Sequence, residues 1–123
     1  VWHAFEDMVG GEIYVKKIPS MSVVSLARAL APNCTLEFVG IRPGEKLHEQ
    51  MIGEEDSYYT FEYPGYYKIL PSINEWSTSP ERIKNGIKVA EGFTYRSDKN
   101  KVWMTSDELL AWINSSSRYI GKI

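Results

Sequence analysis

The chain changes from strand to helix within the stretch Glu12-Ile13-Tyr14-Val15-Lys16-Lys17-Ile18-Pro19-Ser20. The residues before Pro19 are rich in β-branched and aromatic side chains, which predicts a short strand over 12–18. Pro19 ends that strand, and Ser20 or Ser22 can cap a helix. Apolar residues at 23, 24, 26, 27, 30 and 31 give this helix one apolar face, and Pro32-Asn33 ends it.

A helix is also predicted before this stretch. Trp2, Phe5, Met8 and Val9 recur at steps of three and four, and Gly10-Gly11 is a usual helix stop. No residue that could cap the helix precedes Val1. A stop signal without a start signal predicts that the beginning of the helix has been removed. The alternative is a native N-terminus that frays or was trimmed.

The residues after the second helix continue the alternation of strands and helices. Leu36, Phe38, Val39 and Ile41 predict a second strand, and Arg42-Pro43-Gly44 predicts a turn. A third helix is predicted from Glu45 to Gly53. Strand, helix, strand, turn and helix in succession are typical of an α/β fold.

The second half of the chain has a different pattern. Residues 54–57 predict an acidic loop, and two strands are predicted over 58–63 and 66–70 around the turn pair Pro64-Gly65. Residues 72–92 predict a loop with one short helix near 80–86, and 93–95 with 101–104 predict a hairpin. Thr105 and Glu108 have capping-box spacing before a last helix, and a loose tail is predicted from Ser115.

Composition excludes several classes of protein. A length of 123 residues suits one domain, and 43% hydrophobic with 24% charged residues is typical of a soluble globular protein. A formal charge of −2 excludes a strongly basic nucleic-acid binder. No apolar run approaches the ~20 residues of a membrane-spanning helix. The single cysteine, Cys34, excludes an internal disulfide and a cysteine-cluster metal site. The sequence therefore predicts no membrane, nucleic-acid or metal partner, and a reducing compartment.

The turn around Arg42 gives the sharpest chemical signal. Arg42 follows a predicted strand directly, and Pro43-Gly44 makes the turn rigid. A planar guanidinium can hold two phosphate oxygens at once, and the carboxylate of Glu45 can accept hydrogen bonds from the hydroxyls of a ribose. Together they suit a nucleotide diphosphate. The alternative is a surface ion pair between Arg42 and Glu45, worth well under ~1 kcal/mol.

Other residues give weaker signals. Lys16-Lys17 lies at the end of a predicted strand and could supply charge to a phosphate, or could be a solvated strand end. Tyr95 and Lys99 have the Tyr-x-x-x-Lys spacing of short-chain dehydrogenases, but they span a predicted hairpin tip rather than one helix face. His48 and the acidic run 54–56 are expected to be surface residues, and Cys34 is expected to be inert. The tyrosines at 58, 59, 63, 66 and 67 are expected to pack on a sheet face rather than to stack on a ligand.

Three segments closely resemble the C-terminal region of the inverting UDP-N-acetylglucosamine 4,6-dehydratases. These enzymes are extended short-chain dehydrogenase/reductases of polysaccharide and pseudaminic acid biosynthesis. The segments are 10–21, 26–32 and the string Gly40-Ile41-Arg42-Pro43-Gly44-Glu45-Lys46-Leu47-His48-Glu49. The resemblance is strong over 10–57 and returns at 91–95 and 104–109. Lys16 departs from the family, where a proline is expected, whereas Lys17 fits.

The resemblance implies an enzyme built from a Rossmann domain that binds NADP and a smaller C-terminal substrate domain. The reaction that it implies removes water from UDP-N-acetylglucosamine and inverts C5, with transient hydride transfer to NADP, and gives a 4-keto-6-deoxy sugar nucleotide. By position, Arg42 matches the arginine that holds the diphosphate, and Glu45 matches the acidic residue near the uridine ribose. Val15 to Ser20, with Lys17 among them, would line the nucleotide side of the cleft.

The resemblance also implies what this chain lacks and what it assembles with. The family's catalytic residues lie upstream, so no catalytic residue is assigned here and the chain alone is expected to be inactive and to bind no cofactor. Residues 1–34 would end a Rossmann-type domain, 35–114 would form the substrate-binding lobe, and 115–123 the tail. The expected partners are UDP-N-acetylglucosamine and an N-terminal Rossmann domain. A cytoplasmic homo-oligomer is expected, since unpaired strand edges favour self-association.

Two other interpretations of the residues stay open. One is a small α/β module that binds a nucleotide or a sugar through the same Arg42 turn. The other is an oligomerisation domain without a ligand. An upstream Gly-rich loop and a helix-borne Tyr-x-x-x-Lys would separate the dehydratase from both.

Overall fold

The computed structural model describes residues 1–73 and 75–116, and it has the predicted α/β composition. The helices are α1 (Trp2–Asp7), α2 (Val23–Leu30), α3 (Pro80–Ile83) and α4 (Ser106–Ser115), with short 3-10 helices at Glu55–Tyr59 and Trp76–Thr78. The strands are β1 (Ile13–Lys16), β2 (Gln50–Ile52), β3 (Thr60–Tyr63), β4 (Tyr66–Ile69), β5 (Ile87–Lys88) and β6 (Tyr95–Arg96). The chain packs into two compact units.

The first unit contains Val1–Ile18 and Gln50–Arg96 and is built on an antiparallel sheet. Four strands lie in the order β1-β4-β3-β5, so β1 is an edge strand. Ile13 faces Ile69 across the β1–β4 pair, and β3 pairs with β4 as a hairpin. The strands β2 and β6 form a separate two-stranded sheet with a register shift between Gln50 and Ile52.

The hairpin between β3 and β4 confirms the turn predicted at Pro64-Gly65. Tyr63 pairs with Tyr66, so Pro64 and Gly65 alone form the connection. Gly65 has a φ of +82°, a conformation that costs a residue with a Cβ about 1–2 kcal/mol. The predicted pair of strands around Pro64-Gly65 is therefore confirmed, although Tyr58 and Tyr59 lie in a 3-10 helix rather than in β3.

Two apolar clusters form the core of this unit. One contains Val15, Ile52, Tyr67, Ile69 and Tyr95, and the other contains Phe61, Tyr63 and Leu70. The rings of Tyr63 and Tyr66 stack with centroids 4.8 Å apart. Tyr63 and Tyr67 are buried and pack the sheet as expected, whereas Tyr58 is 53% exposed.

The second unit contains Pro19–Glu49 and the described residues 97–116, and its helices α2 and α4 pack together. Both helices begin as the sequence predicts. The hydroxyl of Ser22 accepts a hydrogen bond from the amide of Ser25 at 3.1 Å. Thr105 and Glu108 form the full capping box, with the Thr105 amide donating to the Glu108 carboxylate at 2.7 Å.

Three local predictions are wrong. Residues 36–41 form no strand, and the helix predicted from Glu45 to Gly53 is absent, because Gln50–Ile52 pairs with Tyr95–Arg96 instead. The hairpin predicted over 93–104 is also absent. Trp103 forms a parallel bridge with Ser20, so both arms of that hairpin pair elsewhere.

Several boundaries differ from the predicted ones or stay predictions. Ser115 is the last residue of α4 rather than the start of a tail, and 117–123 lie outside the described residues. The acidic loop predicted at 54–57 is mostly wrong, because all of it but Glu54 lies in the 3-10 helix Glu55–Tyr59. The short helix predicted near 80–86 is confirmed as α3. The division into a Rossmann-type end at 1–34 and a substrate lobe at 35–114 stays a prediction. None of the helices described over 1–73 and 75–116 is long and apolar enough to cross a membrane.

Candidate functional site

The turn predicted to bind a nucleotide is present, and it brings Arg42 and Glu45 together. The Glu45 amide donates to the Arg42 carbonyl at 3.0 Å, and the Arg42 amide donates to Oε2 of the Glu45 side chain at 2.8 Å. Gly44 has a φ of +85°, and no atom lies within 4 Å of where its Cβ would be. The turn therefore requires glycine for its backbone conformation and not for lack of space.

The guanidinium of Arg42 is free to meet a ligand. Its Nε lies 3.8 Å from Oε1 of Glu45, and the Arg42 side chain is 79% exposed. An exposed pair at this distance is worth less than about 1 kcal/mol, so a phosphate could displace it at little cost. The geometry accommodates both interpretations of the sequence, the surface ion pair and the phosphate-binding arginine.

The segment that carries this turn is attached at its C-terminal end. The Ser97 amide donates to the Glu49 carbonyl at 2.9 Å, and the Glu49 amide donates to the Ser97 hydroxyl at 3.0 Å. Residues 31–49 contain no helix or strand, and Phe38 is 80% exposed. The turn therefore sits in an irregular surface segment of the second unit.

Lys17, the third predicted binding residue, lies in the first unit at the end of β1. Its ammonium forms an ion pair with Oε1 of Glu62 at 2.6 Å and lies 4.8 Å from the centroid of the Tyr67 ring. The Lys17 amide donates to the Gly65 carbonyl at 2.9 Å. Sequence reasoning did not find Glu62, because it is 45 positions away on β3.

Tyr95 fixes the residue that follows Lys17. Its hydroxyl accepts a hydrogen bond from the Ile18 amide at 2.8 Å and donates one to the Ile18 carbonyl at 2.9 Å. The side chain of Tyr95 is buried. A phenol engaged in this way holds the main chain, which agrees with the prediction that the Tyr95–Lys99 spacing is not a catalytic pair.

A buried charge cluster was missed by the sequence analysis. Asp7 accepts hydrogen bonds from Lys68 and from Tyr14, each at 2.7 Å, and also from Lys84. Burial opposes ionisation of Asp7, but these three donors more than offset it and hold the pKa of Asp7 well below its ordinary value. The one available signal was Lys68 itself, a charged residue inside the otherwise apolar and aromatic strand β4.

A second ionic cluster attaches α3 to the start of β1. Nη1 of Arg82 contacts Oε1 of Glu12 at 2.5 Å and the Gly10 carbonyl at 2.7 Å, and the guanidinium lies 4.2 Å from the centroid of the Trp76 ring. Burial raises the pKa of Glu12, but main-chain donors at Gly10 and Val9 and the charge of Arg82 bring it below its ordinary value. Every buried side-chain polar atom in the described residues has a partner. The buried polar atoms of these clusters therefore need no ligand to satisfy them.

Over 1–73 and 75–116 the chain offers neither a glycine-rich loop after β1 nor a cluster of metal-binding side chains. The connection from β1 to α2 contains no glycine, so its backbone cannot approach a pyrophosphate as a Gly-rich loop does. Within 1–73 and 75–116, no group of three or more His, Cys, Asp or Glu side chains could hold a metal ion. His48 and Cys34 are exposed.

Comparison with known proteins gives consistent matches. The chain is 48% identical over 121 residues to UDP-N-acetylglucosamine 4,6-dehydratase (inverting) of Campylobacter jejuni, covering 94% of this chain and 36% of the relative. It is 36% identical over 105 residues to UDP-glucose 4-epimerase of Rickettsia typhi, covering 82% of this chain and 31% of the relative. The chain thus spans about a third of the length of the curated relatives it matches.

A solved structure shares the fold. The crystal structure of Pen from Bacillus thuringiensis superposes with a TM-score of 0.70 at 27% identity, covering 94% of this chain and 34% of that one. The family described as "Polysaccharide biosynthesis protein" matches residues 1–71, which include β1, the Arg42 turn and the β3–β4 hairpin. The chain belongs to this polysaccharide biosynthesis protein family.

Proposed function

We propose that this chain is the substrate-binding part of a nucleotide-sugar enzyme, an inverting UDP-N-acetylglucosamine 4,6-dehydratase of the extended short-chain dehydrogenase/reductase class. The observation that supports this most is the 48% identity to the Campylobacter jejuni enzyme over 94% of the chain. The proposed reaction removes water from UDP-N-acetylglucosamine and inverts C5. The proposal places the enzyme in the cytoplasm, in the polysaccharide or pseudaminic acid pathways, and as a homo-oligomer.

In this proposal Arg42 contacts the diphosphate and Glu45 the uridine ribose. The exposed guanidinium of Arg42 and its weak ion pair with Glu45 at 3.8 Å support the role in diphosphate binding. The ligand would replace this weak ion pair with two charge-assisted hydrogen bonds. For Glu45, the support is that one carboxylate oxygen is already held by the Arg42 amide, which orients the group. Lys17 contributes a positive charge for a phosphate from its own unit.

The proposal assigns neither the cofactor nor the catalytic residues to this chain. NADP would be held by residues outside it, because the connection from β1 to α2 lacks a glycine-rich loop. The chain's own residues would bind and orient the substrate. We expect the chain alone to bind UDP-N-acetylglucosamine without converting it.

A titration of the chain with UDP-N-acetylglucosamine, followed by backbone amide NMR, tests this proposal. Saturable shifts at 42–45, lost in Arg42→Ala, are expected. Arg28→Ala is a matched control, because Arg28 is an exposed arginine of the same unit on α2. Equal loss of binding in both variants would show a general charge effect, and absence of shifts up to millimolar ligand would contradict the proposed site.

A second candidate activity comes from the epimerase relatives. Several rickettsial UDP-glucose 4-epimerases are 30–36% identical to this chain. The same titration with UDP-glucose separates the two, since the dehydratase proposal expects tighter binding of the N-acetylated sugar nucleotide. Equal or tighter binding of UDP-glucose would favour the epimerase.

A further inference from the structure

Lys17 has a fixed main chain and a side chain held by one exposed ion pair. The Lys17 amide is bound to the Gly65 carbonyl, and the next residue is held at both its amide and its carbonyl by the buried Tyr95 hydroxyl. Only the side chain of Lys17 can therefore move without breaking the end of β1. That side chain is 31% exposed, so its ammonium is within reach of a solvent-borne ligand.

The ion pair between Lys17 and Glu62 is weak because it is exposed. Glu62 lies in β3, is 48% exposed, and contacts Nζ of Lys17 at 2.6 Å. An exposed ion pair is worth less than about 1 kcal/mol, because both groups recover much of that energy from water when they separate. The Tyr67 ring, 4.8 Å from Nζ, is held in the core of the unit, so its contact with the ammonium is separate from that of Glu62.

We infer that Glu62 is an intramolecular competitor for the phosphate that binds Lys17. In the free protein the Glu62 carboxylate is paired with the Lys17 ammonium. When the ligand binds, its phosphate or diphosphate group takes the place of that carboxylate. The diphosphate of a nucleotide sugar is the stronger partner, because its phosphoryl groups together carry more charge and more acceptor oxygens than one carboxylate. Glu62 thus lowers the affinity of the site for any phosphate and favours a ligand whose other groups add binding energy. The inference rests on the proposed function, which supplies the nucleotide diphosphate.

The inference predicts a gain of affinity from the loss of a charged side chain. Glu62→Gln should bind UDP-N-acetylglucosamine about two- to fivefold more tightly than the unchanged chain, which is what an exposed ion pair is worth as a ratio of Kd values. The measurement is Kd from amide NMR shifts or calorimetry at fixed ionic strength. Inorganic pyrophosphate as a second titrant should show the same direction of change.

A matched control removes the same charge elsewhere in the same unit. Glu91 is exposed and accepts a hydrogen bond from the Tyr58 hydroxyl at 2.9 Å, so Glu91→Gln changes the net charge equally. It should leave Kd unchanged. An equal gain in Glu91→Gln would overturn the inference, because the effect would then come from the overall charge.

A double-mutant cycle separates competition for Lys17 from simple repulsion of the phosphate by Glu62. Glu62→Gln should give no gain in a Lys17→Gln background. A gain that persists there, or no gain in the single variant while the unchanged chain binds, overturns the inference and leaves the proposed function standing. No binding by any of the variants overturns both, and binding only by Glu62→Gln supports the inference most directly.

Discussion

Lys68 and Asp7 form an ion pair in the interior of the first unit, although 61 positions separate them in the sequence. Nζ of Lys68 lies 2.7 Å from Oδ2 of Asp7, and the two side chains are 1% and 11% exposed. Lys68 also lies 4.9 Å from the centroid of the Tyr63 ring. The pair joins the residue that ends α1 to the centre of the sheet, so the position of α1 depends on a strand far along the chain.

Replacing Lys68 should destabilise the first unit strongly. Lys68→Met leaves the buried carboxylate of Asp7 without its most buried partner, and we expect a loss of about 3 kcal/mol in the free energy of unfolding. Urea unfolding followed by circular dichroism measures it. Lys84→Met is the matched control, since Lys84 pairs with the same carboxylate but is half exposed. Its loss should be much smaller, and an equal loss would contradict the assigned importance of burial.

Stability of the first unit should fall as the solution is acidified. Asp7 and Glu12 both have folded-state pKa values below their ordinary values of 3.8 and 4.5. Below those values the unfolded chain binds more protons than the folded one, so the free energy of unfolding decreases with decreasing pH. Urea midpoints at pH 7, 5, 4 and 3 should be level above pH 5 and fall below about 4.5.

The same series in an Asp7→Asn variant identifies the group responsible. The variant should be less stable at pH 7, because it loses the ion pair, and should lose less stability than the unchanged chain between pH 5 and 3. A parallel fall in both chains would show that Asp7 does not carry the pH dependence.

Arg82 should not tolerate replacement by lysine. The guanidinium contacts Glu12 and the Gly10 carbonyl, and its Cζ lies 4.2 Å from the centroid of the Trp76 ring. The compact ammonium of a lysine cannot make all three contacts at once. Arg82→Lys should lower the urea midpoint and change Trp76 fluorescence. Arg28→Lys, an exposed arginine in α2, should change neither.

Thr105 should stabilise the beginning of α4 through its hydroxyl. The Glu108 amide donates to Oγ1 of Thr105. Thr105→Ala should therefore lower the free energy of unfolding by about 1 kcal/mol. Thr105→Ser keeps the hydroxyl and should retain most of the stability. Hydrogen exchange of the amide at position 108 reports the change at the residue concerned, and equal exchange in the alanine and serine variants would rule out the cap.

Local signals in the sequence predicted the elements that depend on local interactions. The Pro64-Gly65 turn, the Ser22 cap and the Thr105–Glu108 capping box all act within four residues, and all three are present. The Arg42–Glu45 pair was found for the same reason, since its partners are three positions apart.

Non-local pairing accounts for the errors. Residues 36–41 have strand propensity, but no strand lies beside them, and propensity without a partner does not form a sheet. The segment 50–52 looks helical in sequence and forms a strand because Tyr95 and Arg96 lie opposite it. The sequence also did not predict two ion pairs, Lys17 with Glu62 and Lys68 with Asp7. Their members are 45 and 61 positions apart, so no local pattern indicates which residue is the partner.

The hydroxyl of Tyr95 also restricts which amino acids the chain can accept at that position. One oxygen atom accepts from the Ile18 amide and donates to the Ile18 carbonyl, a task that needs a group able to do both. Serine and threonine have such a group but are too short to span the same gap, and phenylalanine has the length but no hydroxyl. Among the hydroxyl side chains, tyrosine alone has the length for both contacts, and it gives Ile18 the pair of hydrogen bonds that a neighbouring strand would otherwise supply.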